Sequence, residues 1–200
     1  MIDKFAIVRE DLHRRYGHLF DAATIDAEVD GAIDKHKDAR IADFVPVLVE
    51  RDASESLQLR ADEQGKASDA RKEILFVCEH NAGRSQLAAA LTRHLAGEQV
   101  VYRSVGLNPE GGINPTVIEV LKERNIDHEH LYQKGIVPRV VHASDVVVLM
   151  GVDEVPGVPG QRLVRWDIAD PAQQPVETVR EIADQVEQKV RELLTELEIL

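Results

Sequence analysis

The run "ILFVCEHNAGRSQLAAAL", Ile74 to Leu91, constrains the fold more than any other stretch of the chain. Five consecutive apolar residues end at Cys78, a loop containing Gly83 follows, and helical spacing of apolar residues begins at Ser85. A strand buried on both faces needs such a run, and a helix directly after it is half of a βαβ unit. "QVVYRSVG" and "SDVVVLMG" repeat the strand pattern, Arg162 to Trp166 offers a fourth, and helical patterns run from Ser85 to Ala96 and from Pro115 to Arg124. The expected fold class is α/β, a parallel four-stranded sheet flanked by helices. Val176, Val179, Ile182, Val186, Val190, Leu193 and Leu197 recur at steps of three and four, the stripe of a final helix packed on the core.

Before this region the period is purely helical. Phe5, Val8, Leu12 and Tyr16 share one helical face and Gly17 is a stop. Thr24 is the expected cap of a second helix carrying Ile25, Val29, Ala32 and Ile33. A third begins between Asp43 and Pro46, with Val47, Leu48 and Leu57 inward; proline suits a first helical turn. This gives a small N-terminal helical bundle over residues 1–60, a polar linker over 61–72 rich in charge, Gly, Ser and Ala, and an α/β domain over 73–200.

Composition narrows the function classes. The chain of 200 residues has a net charge of -12, six negative in residues 1–70 and six in 71–200, so no nucleic-acid partner is expected. No apolar run is long enough to span a membrane, and "MIDKFAIVRED" lacks the apolar core of a signal peptide. The single cysteine, Cys78, excludes an intrachain disulfide and suits a reduced, cytoplasmic setting.

That cysteine lies where open α/β sheets bind ligands, beyond the carboxyl end of a strand. The loop Glu79, His80, Asn81, Ala82, Gly83, running into Arg84 and Ser85 at the helix start, can present successive backbone N–H groups to an anion. Helix N-termini and cationic neighbours favour the thiolate, the nucleophilic form of cysteine. Arg84 offers a planar fork for two oxygens of a tetrahedral oxyanion, and Ser85 a hydroxyl for the thiolate. Arginine six places after a cysteine arises by chance about one time in twenty. A lone cysteine is otherwise a small buried hydrophobe, so the strand, glycine and helix around it carry the inference.

"VCEHNAGRSQLAAA" resembles the active-site loop of the low-molecular-weight protein tyrosine phosphatase superfamily, and "HNAGRS" is more similar to its arsenate reductase branch. The resemblance extends over residues 73–200 through "YRSVGLNPEGGINPTVIEVLKE" and "WDIADP". It implies that Cys78 is the nucleophile, Arg84 the oxyanion clamp and Asp170, before Pro171, the general acid. Read alone, Asp170-Pro171 is a turn dipeptide, and Asp167 is a rival carboxylate. Asn81 is expected to brace the loop, since asparagine tolerates left-handed backbone.

The resemblance also implies a chemical problem. Thioredoxin-linked members carry two further cysteines near the segment that here reads "MGVDEVPGVPGQR", where this chain has Val152 and Val155. Reduction of arsenate would therefore need an external thiol, of mycothiol or glutathione type, with a mycoredoxin or glutaredoxin-like partner rather than thioredoxin. No bound cofactor or metal is expected. The alternative is a phosphatase, but "DPAQQPVETV" lacks the aromatic residues with which such phosphatases grip a phenyl ring. A third class is a non-catalytic oxyanion sensor. The helical region resembles a three-helix domain of some actinobacterial reductases, with stabilisation or homodimer pairing as its expected role.

Other features read as structural. His128 and His130 lack a third clustered ligand for zinc. Gly111-Gly112 and Asn114-Pro115 form a turn and helix start, and Trp166 packs. His80, inside the loop, is read as tuning the thiolate, setting the loop geometry or contacting solvent.

Overall fold

The computed structural model describes residues 5–38, 44–66, 70–157 and 162–200. The chain divides into two compact units, Met1–Lys72 and Glu73–Leu200. In the first, α1 (Ala6–Tyr16), α2 (Ala22–Lys35) and α3 (Val45–Glu63) enclose one core. Phe5, Val8, Leu12 and Tyr16 from the α1 region meet Ile25, Val29 and Ala32 of α2 and Val45, Val49, Ala53 and Leu57 of α3.

Three local expectations change here. The cap of α2 is Asp21, whose carboxylate accepts from the Thr24 N–H at 2.7 Å; Thr24 is already helical. Asp21 is the stronger cap because its charged oxygen also meets the positive end of the helix. On α3 the inward stripe is Val45, Val49, Ala53 and Leu57, with Val47 and Leu48 half-buried. That stripe uses the small Ala53, which composition alone does not mark as a contact residue. α3 also runs to Glu63, into the segment read as linker, and Ala70 and Arg71 return to the helices, Arg71 donating to the Arg14 carbonyl at 3.0 Å. Residues 67–69 of that segment, and Asp43 at the expected start of α3, lie outside the described residues.

The second unit alternates β1 (Glu73–Cys78), α4 (Arg84–Ala96), β2 (Val101–Gly106), α5 (Pro115–Glu123), α6 (Pro138–Ala143), β3 (Val146–Met150), β4 (Arg162–Trp166) and α7 (Val176–Glu196). The strands form one parallel sheet in the order β2-β1-β3-β4. Every residue of β1 and β3 is buried. Because side chains alternate, Ile74, Phe76 and Cys78 face a layer with α4, α5 and α7, while Leu75 and Val77 face Val140 and Val141 of α6. The short α6 gave no sequence signal, since a six-residue helix is too brief to display a period.

Val179, Ile182, Val186, Val190, Leu193 and Leu194 of α7 are buried. At about 1.5–3 kcal/mol for each buried aliphatic side chain, the stripe contributes on the order of 10 kcal/mol before entropy costs, which makes α7 part of the core. Trp166 packs on Phe76 with ring centroids 5.7 Å apart. β4 is the exposed edge, and Arg162 and Arg165 on it discourage pairing with another sheet. Among the described residues no helix is long and apolar enough to cross a membrane.

The order β2-β1-β3-β4 places β1 where the chain reverses direction across the sheet. Cys78, at the carboxyl end of β1, stands at that switch point, where open α/β sheets bind ligands.

Candidate active site

Cys78 ends β1, and its Sγ lies 3.0 Å from the Ser85 Oγ at the start of α4. Ser85 Oγ accepts from Asn81 Nδ2 at 2.7 Å. With its lone pair so occupied, the serine hydroxyl proton is free to turn toward sulfur, which gives a thiolate a donor. Asn81 is fully buried and has φ 49, a left-handed conformation that asparagine accepts more readily than most residues. Its Oδ1 accepts from the Lys134 N–H at 2.8 Å and from Gln86 Nε2 at 3.0 Å.

The carbonyls of the loop are committed outward. Cys78 O accepts from Leu107 N at 3.1 Å, Glu79 O from Asn108 N at 2.8 Å and Ala82 O from Asn114 N at 2.9 Å. His80 O accepts from Gln133 Nε2 at 2.8 Å, and Asn81 O from Gln86 Nε2 at 3.0 Å. Gly83 O receives Leu87 N at 2.9 Å as the first bond of α4. With every acceptor from Cys78 to Gly83 taken from outside, the N–H groups are the side of the loop left for a ligand. Adjoining the first orphan N–H groups of α4, they make a cradle for an anion.

Two glycines permit the loop to lie where it does. A Cβ on Gly106, which pairs with Cys78 across β2 and β1, would stand 2.7 Å from Asn81 N. A Cβ on Gly83 would stand 2.4 Å from the Pro171 ring. Pro171 is held there by Asn114, whose Nδ2 donates to its carbonyl at 3.0 Å.

Arg84 begins α4 with only a tenth of its side chain exposed. Nη2 donates to Asp170 Oδ2 at 2.9 Å, and Nη1 reaches the Ile168 carbonyl at 3.4 Å. Asp170 is half-exposed, and its Oδ1 accepts from Ala172 N at 2.9 Å, so its carboxylate is oriented on both oxygens. Asp167 is exposed, and the carboxylate paired with Arg84 is that of Asp170. Glu79 turns its carboxylate to Asn108 Nδ2 at 2.5 Å, and His80 Nδ1 lies 3.0 Å from the Asn108 carbonyl and 3.7 Å from the Glu110 carboxylate.

The sequence did not single out Gln86, Gln133, Gly106 or Gly151, nor the segment from Tyr132 to Ile136. Gln86 Nε2 also donates to the Tyr132 carbonyl at 2.9 Å, the Gly106 N–H donates to the Lys134 carbonyl at 2.8 Å, and the Gly106 carbonyl accepts from the Ile136 N–H at 3.0 Å. Tyr132 is exposed and its ring lies 3.9 Å from the Lys134 ammonium. Burial, then the charge of Arg103, pulls Lys134 down to about 8. A polar residue directly after the Arg-Ser pair was the one available signal for Gln86.

His128 Nδ1 lies 3.2 Å from the Ile126 carbonyl, and His130 Nδ1 is 3.5 Å from Asp127. Among the described residues no group of three or more His, Cys, Asp or Glu side chains is placed to hold a metal ion.

The sequence pattern of the family described as "Low molecular weight phosphotyrosine protein phosphatase" matches residues 73–199. The chain belongs to that family. Within this phosphatase family it is similar to arsenate reductase 2 of Staphylococcus saprophyticus, 30% identical over 126 residues that make up 61% of this chain and 95% of the relative. It is 28% identical to the glutaredoxin arsenate reductase of Synechocystis over 63% of this chain and 98% of that protein. Among solved structures it resembles the thioredoxin-dependent arsenate reductase of Corynebacterium glutamicum, with 31% identity and a TM-score of 0.58 over 98% of this chain and 96% of that one. That likeness includes the N-terminal helical region. An arsenate reductase in a phosphate-binding state matches 63% of this chain and 98% of its own, at 28% identity and a TM-score of 0.59.

Proposed function

We propose that the chain reduces arsenate to arsenite with the help of an external thiol. The observation that carries this reading is the Cys78 sulfur, 3.0 Å from Ser85 at the foot of a loop whose carbonyls are all turned away. Arsenate enters the cradle of residues 79–85, Arg84 binds two of its oxygens, and the Cys78 thiolate attacks arsenic. A sulfur–arsenic bond forms and an arsenic–oxygen bond breaks, with Asp170 protonating the departing oxygen to water. A low-molecular-weight thiol then attacks the bound arsenic and leaves with it, freeing the Cys78 thiolate. A redoxin thiolate finally attacks the sulfur of that conjugate, forming a mixed disulfide and releasing arsenite, so two electrons pass from sulfur to arsenic.

Composition and place together support an external donor. Cys78 is the only cysteine, and Val152 and Val155, where family members with an internal relay carry thiols, pack against the Leu75 and Leu149 layer. The names of the relatives include both a glutaredoxin and a thioredoxin, which supports a redoxin as final donor. Mycothiol or glutathione with a mycoredoxin or glutaredoxin is the pairing that a single-thiol enzyme can use. The reaction belongs in a reducing cytoplasm, and the N-terminal helices serve stability or the pairing of two chains.

The deciding experiment measures arsenite formation with mycothiol or glutathione plus the matching redoxin, and with thioredoxin alone. The expected result is turnover only when the small thiol is present. Equal turnover with thioredoxin alone contradicts the external-thiol route. Efficient hydrolysis of a phosphotyrosine peptide with arsenate inert would reassign the site to phosphoester cleavage. Tight phosphate binding without either turnover would make it a sensor.

A further inference from the structure

Building on the reductase reading, we infer that His80 is a further catalytic residue, the base that takes the proton from the incoming thiol. Its Nδ1 lies 3.0 Å from the Asn108 carbonyl, and a carbonyl only accepts, so the neutral ring carries its proton on Nδ1. The Glu110 carboxylate lies 3.7 Å from the same nitrogen, on the side of that proton. The lone pair is thereby assigned to Nε2, for which the described residues provide no partner, on a side chain that is 42% exposed.

His80 lies two residues from Cys78 in the loop, and its carbonyl is held by Gln133 Nε2 at 2.8 Å while that amide also reaches the Glu110 carbonyl at 2.7 Å. Glu79 is held by Asn108 Nδ2, which takes that carboxylate out of the second proton transfer. Arsenate reduction by an external thiol needs two proton movements of opposite sense. Asp170 gives one to the departing oxygen in the first step. In the second, the thiol's S–H proton passes to His80 Nε2 as its sulfur bonds to arsenic and the bond from arsenic to Cys78 breaks.

The test compares wild type with His80→Asn, whose amide can keep the donor to the Asn108 carbonyl while the basic nitrogen is removed. Arsenite release is followed with weakly acidic thiols (mycothiol, glutathione, 2-mercaptoethanol) and with 2-nitro-5-thiobenzoate, which is ionised in solution, a redoxin being present throughout. The expected result is a loss of roughly tenfold to a hundredfold with the weakly acidic thiols, little loss with the ionised one, and recovery on adding imidazole. An equal loss for every thiol, no loss at all, or no response to imidazole overturns the role. If His80→Asn loses phosphate affinity, the series is repeated with His80→Gln, and if both lose it His80 is a brace and not a base. No arsenite from the wild type with any thiol overturns the reductase reading itself, which separates that failure from failure of His80 alone.

Discussion

Gly151, directly after β3, backs onto the Arg84 guanidinium so closely that a Cβ there would stand 2.0 Å from Arg84 Nη1. Its φ of 69 is also in the left-handed region. Gly151→Ala therefore displaces the arginine and strains the backbone. Phosphate affinity, read by calorimetry, is expected to fall at least about tenfold, because displacement of about 1 Å can cost as much as a hundredfold. Stability falls by only about 1–2 kcal/mol. Unchanged affinity would mean that Arg84 does not need this wall.

Under the proposed mechanism, Asp170 and Cys78 separate chemistry from binding. Asp170→Asn keeps a polar side chain beside Arg84 and removes the transferable proton, so turnover should fall about 10²–10⁴-fold with phosphate affinity changed little. Cys78→Ser should abolish arsenite formation and still bind phosphate. Single-turnover assays beside phosphate titrations check both, and an active Cys78→Ser enzyme would show that another group is the nucleophile.

Gln86 is fully buried and its amide bonds the Asn81 carbonyl, Asn81 Oδ1 and the Tyr132 carbonyl. Gln86→Ala leaves the buried Asn81 carbonyl without its donor, at a cost of about 1–3 kcal/mol, while Asn81 Oδ1 keeps the Lys134 N–H and the Tyr132 carbonyl keeps Lys134 Nζ. Unfolding in urea followed by Trp166, the only tryptophan, should show the midpoint falling and phosphate affinity falling with it. A loss of stability with full affinity would confine Gln86 to packing.

Lys134 supplies a pH-dependent test of the segment that braces the loop. Its ammonium is brought down to about 8 by burial and then by Arg103, whereas an unfolded lysine releases its proton near about 10.4. Between those values the unfolded state holds a proton that the folded state has given up, so this group makes stability rise with pH. Below about 8 both states are protonated and the contribution is flat. Urea midpoints from neutral pH to about 10.4 should rise more in the wild type than in Lys134→Met. Parallel curves would show that Lys134 is solvated as an ordinary surface lysine.

The sheet was readable because strands buried on both faces leave unbroken apolar runs, as in "ILFVC" and "VVVLM", while α7 writes its stripe over 21 residues. Cys78 at the end of β1 and Arg84 at the head of α4 follow from those boundaries. Contacts between distant segments were not readable. Gln133 bonds a loop 53 residues earlier, and Asn114 bonds a proline 57 residues later, through side chains with no period to betray them. On α2 the error was local: Asp21 and Thr24 are both good caps, and only the backbone shows which one leaves the helix.

The outward carbonyls of the loop give the site a particular vulnerability. Preference for an anion is specified there by donors that need never touch it: the amides of Leu107, Asn108 and Asn114 and the side chains of Gln86 and Gln133. If any of these donors is lost, a peptide of the loop is free to rotate, and a carbonyl turned inward converts part of an anion cradle into a repellent surface. Substitutions on the β2–α5 connection or beside Lys134 can thus reverse the polarity of the site while Cys78, Arg84 and Asp170 all remain.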